Sequence, residues 1–180
     1  LLLARFFVET LKKKGQKVII DVKSTNAYSL DPVLKSYDTE VIFCKTGHSY
    51  VKAATQKHDA LAGFEKSGHF FLRDKFGLGY DDASLAAAWV SAVLTNSVKK
   101  LSEMLADQPG SYQSPTMSPS VKDDKEKYEI VDKVVEHFKN LKEKGEKFAG
   151  LKIEELITVN GIRFVLEGGA WGLVRASSNQ

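Results

Sequence analysis

The sequence predicts an α/β fold: a three-layer α/β domain with a mostly parallel sheet, followed by an incomplete smaller α+β domain. The larger domain is indicated by three short apolar strand patterns, at residues 18–22, 40–44 and 60–64, that alternate with helical patterns. Strands joined by crossover helices are parallel. The smaller domain is indicated by one charged helical pattern followed by a hairpin, which is typical of an α+β layout.

Four helices are predicted in the larger domain. Leu2, Phe6 and Leu11 fit an amphipathic helix that stops at Gly15. Three further helices are predicted at residues 27–37, at 50–57 and at 83–105. Pro32 fits only the first turn of a helix, so the start of the first of these three is left open. A fourth strand is predicted at residues 70–73, and a glycine-containing loop at 76–82 leads to the last of these helices.

A composition break rich in Pro, Ser and Gly separates the two parts of the chain. It predicts a first domain at residues 1–107, a linker at 108–121 and a second domain at 122–180. In the second domain, a charged amphipathic helix is predicted at 123–144. Strands are predicted at 156–159, 162–166 and 170–174, and Asn160-Gly161 favours a type I′ turn between the first two.

Composition excludes several classes of function. The chain has 43% hydrophobic and 27% charged residues, and its apolar runs are far shorter than the roughly 20 residues that cross a bilayer. The net charge is only +3, with lysines interleaved with acids, so no nucleic-acid-binding stripe is expected. The single cysteine, Cys44, follows an apolar run and is predicted to be a core residue. One unpaired cysteine favours a reducing, cytoplasmic compartment.

Polar side chains follow all three predicted parallel strands at their carboxyl ends. Lys23 follows the first strand, His48 the second, and the turn at residues 65–69 the third. Ligands of α/β sheets bind beyond the carboxyl ends of the strands, so the three groups are expected to converge on one site.

The turn at residues 65–69 carries the chemistry of sugar recognition. Glu65, when ionised, offers about four lone-pair positions and can accept hydrogen bonds from two neighbouring hydroxyls at once. Ser67 can donate or accept. An ordinary surface turn with scattered charges is the alternative interpretation.

Two other polar groups have competing interpretations. Asp81 or Asp82 can cap the helix that follows, and metal binding by this pair is the less economical reading. Near the end of the chain, Arg175 with the hydroxyls of Ser177 and Ser178 can hold a phosphate. A serine-rich exposed segment after a strand is the alternative.

The segments together resemble the third and fourth domains of the α-D-phosphohexomutase superfamily, most closely its phosphomannomutase/phosphoglucomutase branch. The resemblance covers nearly the whole chain, with the motifs in the family's order. These motifs are DVK at 21–23, KTGHS at 45–49, GFEKSGH at 63–69, GYDD at 79–82, NGIR at 160–163 and WGLVRAS at 171–177.

The resemblance implies roles for particular residues. Glu65 and Ser67 would contact the O3 and O4 hydroxyls of the sugar, with His69 supporting their loop. Lys23 and His48 would lie near the reacting hydroxyl as acid/base or electrostatic helpers. The phosphate that is not transferred would be held by Arg175, Ser177, Ser178 and Asn179. The family often reads Ser-Asn-Thr where this sequence has Ser177-Ser178-Asn179, which is a departure.

The resemblance also implies what lies outside this chain. The family's enzymes carry a phosphoserine in an N-terminal domain and bind Mg²⁺ on an acidic loop of a second domain. Hexose 1,6-bisphosphate serves as intermediate and activator. Because both ends of the sequence look cut, we expect a C-terminal fragment that needs the missing N-terminal domains and is inactive alone. Phosphoglucosamine mutase and a non-catalytic phosphosugar-binding module are the alternative functions.

Overall fold

The computed structural model describes residues 1–108 and 111–177, and the chain forms two compact units, Leu1–Ser111 and Tyr112–Gln180. The division falls inside the segment that composition marks as a linker.

The first unit contains a four-stranded sheet. Its strands are β1 (Lys17–Asp21), β2 (Glu40–Cys44), β3 (Ala62–Phe64) and β4 (Phe70–Leu72), in the order β2-β1-β3-β4. β1 is parallel to both of its neighbours, and β4 runs antiparallel to β3. The prediction of a mostly parallel sheet is therefore confirmed. β3 begins two residues later than predicted, and the N–H of Ala60 donates to the carbonyl of Thr55 instead of a strand.

Helices enclose this sheet. They are α1 (Leu2–Leu11), α2 (Ala27–Leu30), α3 (Pro32–Ser36), α4 (His48–Lys57), α5 (Ala83–Thr95) and α6 (Leu101–Met104). α1 ends earlier than predicted. Lys12 takes the left-handed conformation (φ 52°) and its N–H donates to the carbonyl of Val8, so Lys12, and not the predicted Gly15, ends the helix. α4 begins two residues earlier than predicted.

Two helices that were predicted to be continuous are broken. The predicted helix 27–37 splits at Asp31, whose backbone is extended, because a residue before proline avoids the helical region. The long predicted helix 83–105 stops at Thr95. Around this stop the Asn96 amide bonds back to Ala92, and the Ser97 hydroxyl accepts from the backbone of Lys99, so polar side chains compete with the helical pattern.

The two faces of the sheet carry separate apolar clusters, which confirms the three layers. Val18 and Ile20 belong to the cluster that includes Phe7 of α1, while Ile19 packs with Val51 of α4 on the opposite face. All five side chains are inaccessible to solvent. β1 is thus buried on both faces, as its continuous apolar run predicts.

The second unit is one helix on an antiparallel sheet. Helix α7 (Asp124–Glu143) precedes four strands paired in chain order: β5 (Lys147–Phe148), β6 (Leu151–Ile157), β7 (Ile162–Leu166) and β8 (Trp171–Val174). Phe138 of α7 stacks on Phe164 of β7, with ring centroids 4.2 Å apart.

The predicted hairpin is present, but two of its details are wrong. The strand predicted at 156–159 begins at Leu151 and ends at Ile157. A type I′ turn needs positive φ at both central residues, and only Gly161, at 73°, has it. The connection between the two strands is four residues long, 158–161, and not two, and the pairing next to it joins Ile157 with Arg163.

No helix in the described residues is long and apolar enough to cross a bilayer.

Candidate functional site

The carboxyl ends of β1, β2 and β3 lie at one edge of the sheet, because the three strands are adjacent and parallel. Lys23 follows β1, and His48 is the first residue of α4, just after β2. The turn at 65–69 joins β3 to β4. The sequence-predicted groups of the first unit are thus brought to the same edge.

A buried carboxylate, Asp21, joins these strand ends. It is the last residue of β1 and is inaccessible to solvent. Its Oδ1 accepts the Ser24 hydroxyl at 2.6 Å and the backbone N–H of Lys66 at 3.2 Å. Its Oδ2 accepts the Thr46 hydroxyl at 3.2 Å. One side chain therefore fixes the segments that follow all three strands.

Asp21 was not among the predicted site residues. The signal that could have identified it is an acidic residue at the end of the otherwise apolar run 18–22. A charged side chain in a strand buried on both faces needs partners, and those partners are the site loops.

The turn at 65–69 is closed by backbone hydrogen bonds. The N–H of Glu65 donates to the carbonyl of His69 at 3.0 Å, and the N–H of Gly68 donates to the carbonyl of Glu65 at 3.0 Å. Gly68 has φ 92°, which glycine adopts without strain. The position of Glu65 is consequently set by the hairpin backbone.

Glu65 is a buried carboxylate whose two oxygens differ in their hydrogen bonding. The residue is 8% exposed, and its Oε2 accepts the Ser67 hydroxyl at 2.8 Å. No group among the described residues donates to the buried Oε1. Leaving a buried acceptor without a donor costs about 1–3 kcal/mol, so this atom is suited to a donor from a ligand.

The two predicted basic side chains differ in their relation to Asp21. The Nζ of Lys23 lies 4.0 Å from Asp21 Oδ2, and His48 is exposed at the start of α4. Among the described residues, no hydrogen bond or ion pair joins Lys23, His48 and Glu65 directly. They share the edge of the sheet at which the three parallel strands end.

Cys44 is a core residue here, as predicted. It is 8% exposed, and burial raises the pKa of its thiol to about 12, with the charges of Asp21 and Glu65 acting in the same direction. The thiol therefore stays protonated at neutral pH.

The two acids of the GYDD motif have different partners. The Asp82 side chain accepts the backbone N–H of Leu85 at 2.9 Å and caps α5. The carboxylate of Asp81 lies 2.5 Å from Nδ1 of His69, and this hydrogen bond raises the pKa of His69. In residues 1–108 and 111–177 no group of three or more His, Cys, Asp or Glu side chains could hold a metal.

The predicted phosphate-binding residues lie in the second unit, directly after β8. Arg175 is half-buried and its Nη1 donates to the carbonyl of Ala176 at 3.3 Å. The carbonyl of Ser177 accepts Lys127 Nζ of α7 at 2.8 Å. Ser178 and Asn179 lie outside the described residues.

Gly161 allows the hairpin loop to pack closely against the segment after β8. A Cβ at this position would clash with the carbonyl oxygen of Val174 and would lie 2.8 Å from Cα of Arg175. The hairpin loop can therefore approach the segment after β8 only because residue 161 is glycine.

Comparison with known proteins agrees with this arrangement. Residues 1–112 match the family model described as phosphoglucomutase/phosphomannomutase, alpha/beta/alpha domain III. The chain belongs to the phosphoglucomutase/phosphomannomutase family. The recognition made from the sequence motifs is thus confirmed.

Individual relatives support the same family. The chain is 35% identical to a phosphoglucomutase of Neisseria meningitidis over 93% of its length, which is 33% of that protein. It is 30% identical to a phosphomannomutase/phosphoglucomutase of Pseudomonas syringae over 98% of its length, 35% of that protein. The chain thus spans about a third of these relatives.

A solved structure extends the similarity to both units. A phosphoglucomutase/phosphomannomutase family protein from Burkholderia thailandensis matches 99% of this chain and 35% of its own, with a TM-score of 0.75 and 26% identity.

Proposed function

We propose that this chain is the sugar- and phosphate-binding part of a phosphohexomutase that interconverts hexose 1- and 6-phosphates. The observation that carries the proposal is Glu65, a buried carboxylate whose Oε2 is bonded and whose Oε1 has no donor among the described residues. Sugar hydroxyls supply such donors. Family membership supports the same class of ligand.

The chemistry of the exchange explains why the O3 and O4 hydroxyls are the groups to recognise. A mutase phosphorylates one end of a hexose phosphate, then turns the bisphosphate end for end and removes the other phosphate. The 3- and 4-hydroxyls approximately exchange places in this rotation, so Glu65 can serve both orientations. A site that binds these two hydroxyls does not distinguish the configuration at C2, so glucose and mannose derivatives can both bind.

The basic residues complete the proposed roles. Lys23 and His48 stabilise charge near the reacting hydroxyl, because phosphoryl transfer depends mainly on positioning and electrostatic stabilisation. Arg175 and Ser177, with Ser178 and Asn179, hold the idle phosphate. The planar donor fork of an arginine matches two phosphate oxygens.

Other parts of the proposed machinery belong to the protein beyond this chain. The phosphoserine and the Mg²⁺ site are proposed to lie there. Hexose 1,6-bisphosphate is the proposed intermediate. A single buried cysteine is consistent with our further proposal of a cytoplasmic location.

Replacement of Glu65 tests the proposal. In the full-length protein, Glu65→Ala should cost more than about 2 kcal/mol of transition-state binding, roughly thirtyfold in kcat/KM, because one acceptor serves two hydroxyls. The measurement is turnover of glucose 1-phosphate and mannose 1-phosphate. Lys66→Ala is the matched control, since that side chain is exposed and only its backbone contacts Asp21.

Three results would contradict parts of this proposal. An unchanged kcat/KM for Glu65→Ala would refute the role of that carboxylate. Binding of hexose phosphates without turnover by the full-length wild type would favour a non-catalytic module. Preferential turnover of glucosamine phosphate would favour phosphoglucosamine mutase.

A further inference from the structure

Asp81 contacts His69 and the first residue of β4 through its two carboxylate oxygens. Its Oδ2 lies 2.5 Å from Nδ1 of His69, and its Oδ1 accepts the backbone N–H of Phe70 at 3.3 Å. One carboxylate thus holds the imidazole ring and the backbone directly after it. Asp82, the next residue, makes neither contact and caps α5 instead.

The backbone around Asp81 is fixed on several sides. Asp81 forms an antiparallel bridge with Phe71 of β4. The N–H of Gly79 donates to the carbonyl of Leu72 at 2.7 Å, and Lys52 Nζ of α4 lies 4.8 Å from the ring centroid of Tyr80. These contacts fix the position of the Asp81 backbone beside His69.

This contact determines the state of the other ring nitrogen. A carboxylate oxygen only accepts, so Nδ1 of His69 carries a hydrogen and donates it. Within the described part of the chain, no protein group bonds to Nε2 of His69. When the ring is neutral, Nε2 is an acceptor; when the ring is charged, Nε2 is a donor directed to whatever binds there.

The charges that act on His69 are acidic. Asp81 provides the largest influence through its hydrogen bond and its charge, and Glu65, at the start of the same turn, acts in the same direction. Both raise the pKa of His69, which extends to higher pH the range in which the ring is cationic.

We propose that Asp81 is a positioning residue of the sugar site: it engages Nδ1 of His69 and orients the ring so that Nε2, when the ring is cationic, donates its hydrogen to an oxygen of the bound phosphosugar. This inference rests on the proposed function and adds a residue to it. An aspartate that orients a histidine through Nδ1 is a recurring device in active sites.

The test compares Asp81→Asn with Asp82→Asn in the full-length protein. Asparagine keeps an acceptor oxygen near Nδ1 but removes the charge, so the pKa of His69 should fall toward the ordinary value of about 6.5. Asp82→Asn should leave it unchanged, since asparagine is also a good N-cap. The pKa and the tautomer are read from ¹⁵N shifts of labelled histidine, with His69→Gln to assign the signal.

The pH dependence of kcat/KM on glucose 1-phosphate gives the second readout. If the cation is the active form, the basic limb of the profile moves to lower pH in Asp81→Asn, by as many pH units as the NMR pKa moves. At pH well below both pKa values the two proteins should approach equal activity. In a His69→Gln background, Asp81→Asn should have little further effect.

Each alternative result has a definite meaning. A wild-type His69 that is neutral with its hydrogen on Nε2, or an unmoved pKa in Asp81→Asn, would overturn the positioning role whether or not the protein turns over hexose phosphates. A shifted pKa with an unmoved basic limb would show that Asp81 tunes His69 without serving the ligand, which also overturns the proposal. Absence of turnover in the wild type would instead refute the proposed function, and the inferred ligand with it.

Discussion

Asp21 is the residue on which the geometry of the first unit's site depends. It is inaccessible to solvent, and its two oxygens accept from Ser24, Thr46 and the backbone of Lys66. Lys23 Nζ, at 4.0 Å, is its nearest cation among the described residues. A buried carboxylate is stable only with such partners, so loss of the carboxylate leaves several donors without an acceptor.

Substitution of Asp21 should therefore destabilise the first unit. Asp21→Ala is expected to lower the free energy of unfolding by about 3 kcal/mol, and Asp21→Asn by about 1 kcal/mol, because asparagine retains one acceptor oxygen. Urea unfolding of the full-length protein, followed by signals from the first unit, measures both. Glu40→Ala is the control: its 3.8 Å contact with Lys17 is largely exposed and should contribute less than about 1 kcal/mol. Equal losses for Asp21→Ala and Glu40→Ala would contradict this account.

Residue types at the site could be predicted from the sequence, but their partners could not. Glu65 and His69 stand in a short polar turn between apolar segments, which is a local signal. The partners of Asp21 lie up to 45 positions away along the chain. The partner of His69 lies 12 positions away, in a loop for which sequence offered only a helix cap or a metal. Such pairings are decided by strand order and loop path, which no local pattern contains.

At the scale of the elements, the close packing of α4 on β3 positions His48. Gly63 lies in the middle of β3, and a Cβ there would overlap Oγ1 of Thr55 and lie 2.7 Å from Cγ1 of Val51. Both contacted residues are buried on α4. The absence of a side chain at residue 63 therefore sets how closely α4, with His48 at its first turn, approaches the sheet.

Gly63→Ala should push α4 away from the sheet. We expect a loss of about 1–3 kcal/mol in stability from overpacking, together with weaker binding of hexose phosphates. Val51→Ala removes one of the overlapping atoms, so the double variant should lose less than the sum of the two single losses. Thermal unfolding and ligand titration of the full-length protein measure these effects. Strict additivity of the two substitutions would argue against the contact.

Element type was predictable where the pattern is strong, and element ends were not. β1 and β2 lie where their β-branched runs predict them. The helices predicted at 27–37 and 83–105 are each interrupted, at Asp31 and after Thr95. In both places a local rule, the residue before proline or side chains that bond to nearby backbone, overrides the apolar periodicity.

At the scale of the whole molecule, the chain consists of two compact units and spans about a third of the length of its relatives. The fold class was predictable because strands, helices and the hairpin each leave a local signature in the sequence. The family was recognisable because six short motifs occur in order. The hydrogen bonds that Asp21 makes with the three loops, and the pairing of His69 with Asp81, could be identified only from the structure.

The central claim is that the strand ends of the first unit bind a hexose phosphate through Glu65. A crystal structure of the full-length protein with glucose 1-phosphate tests it most directly. The account predicts Glu65 Oε1 within about 3.2 Å of a sugar hydroxyl, with the second hydroxyl of the same pair also bound by this carboxylate. A bound sugar that makes no contact with Glu65 would contradict it.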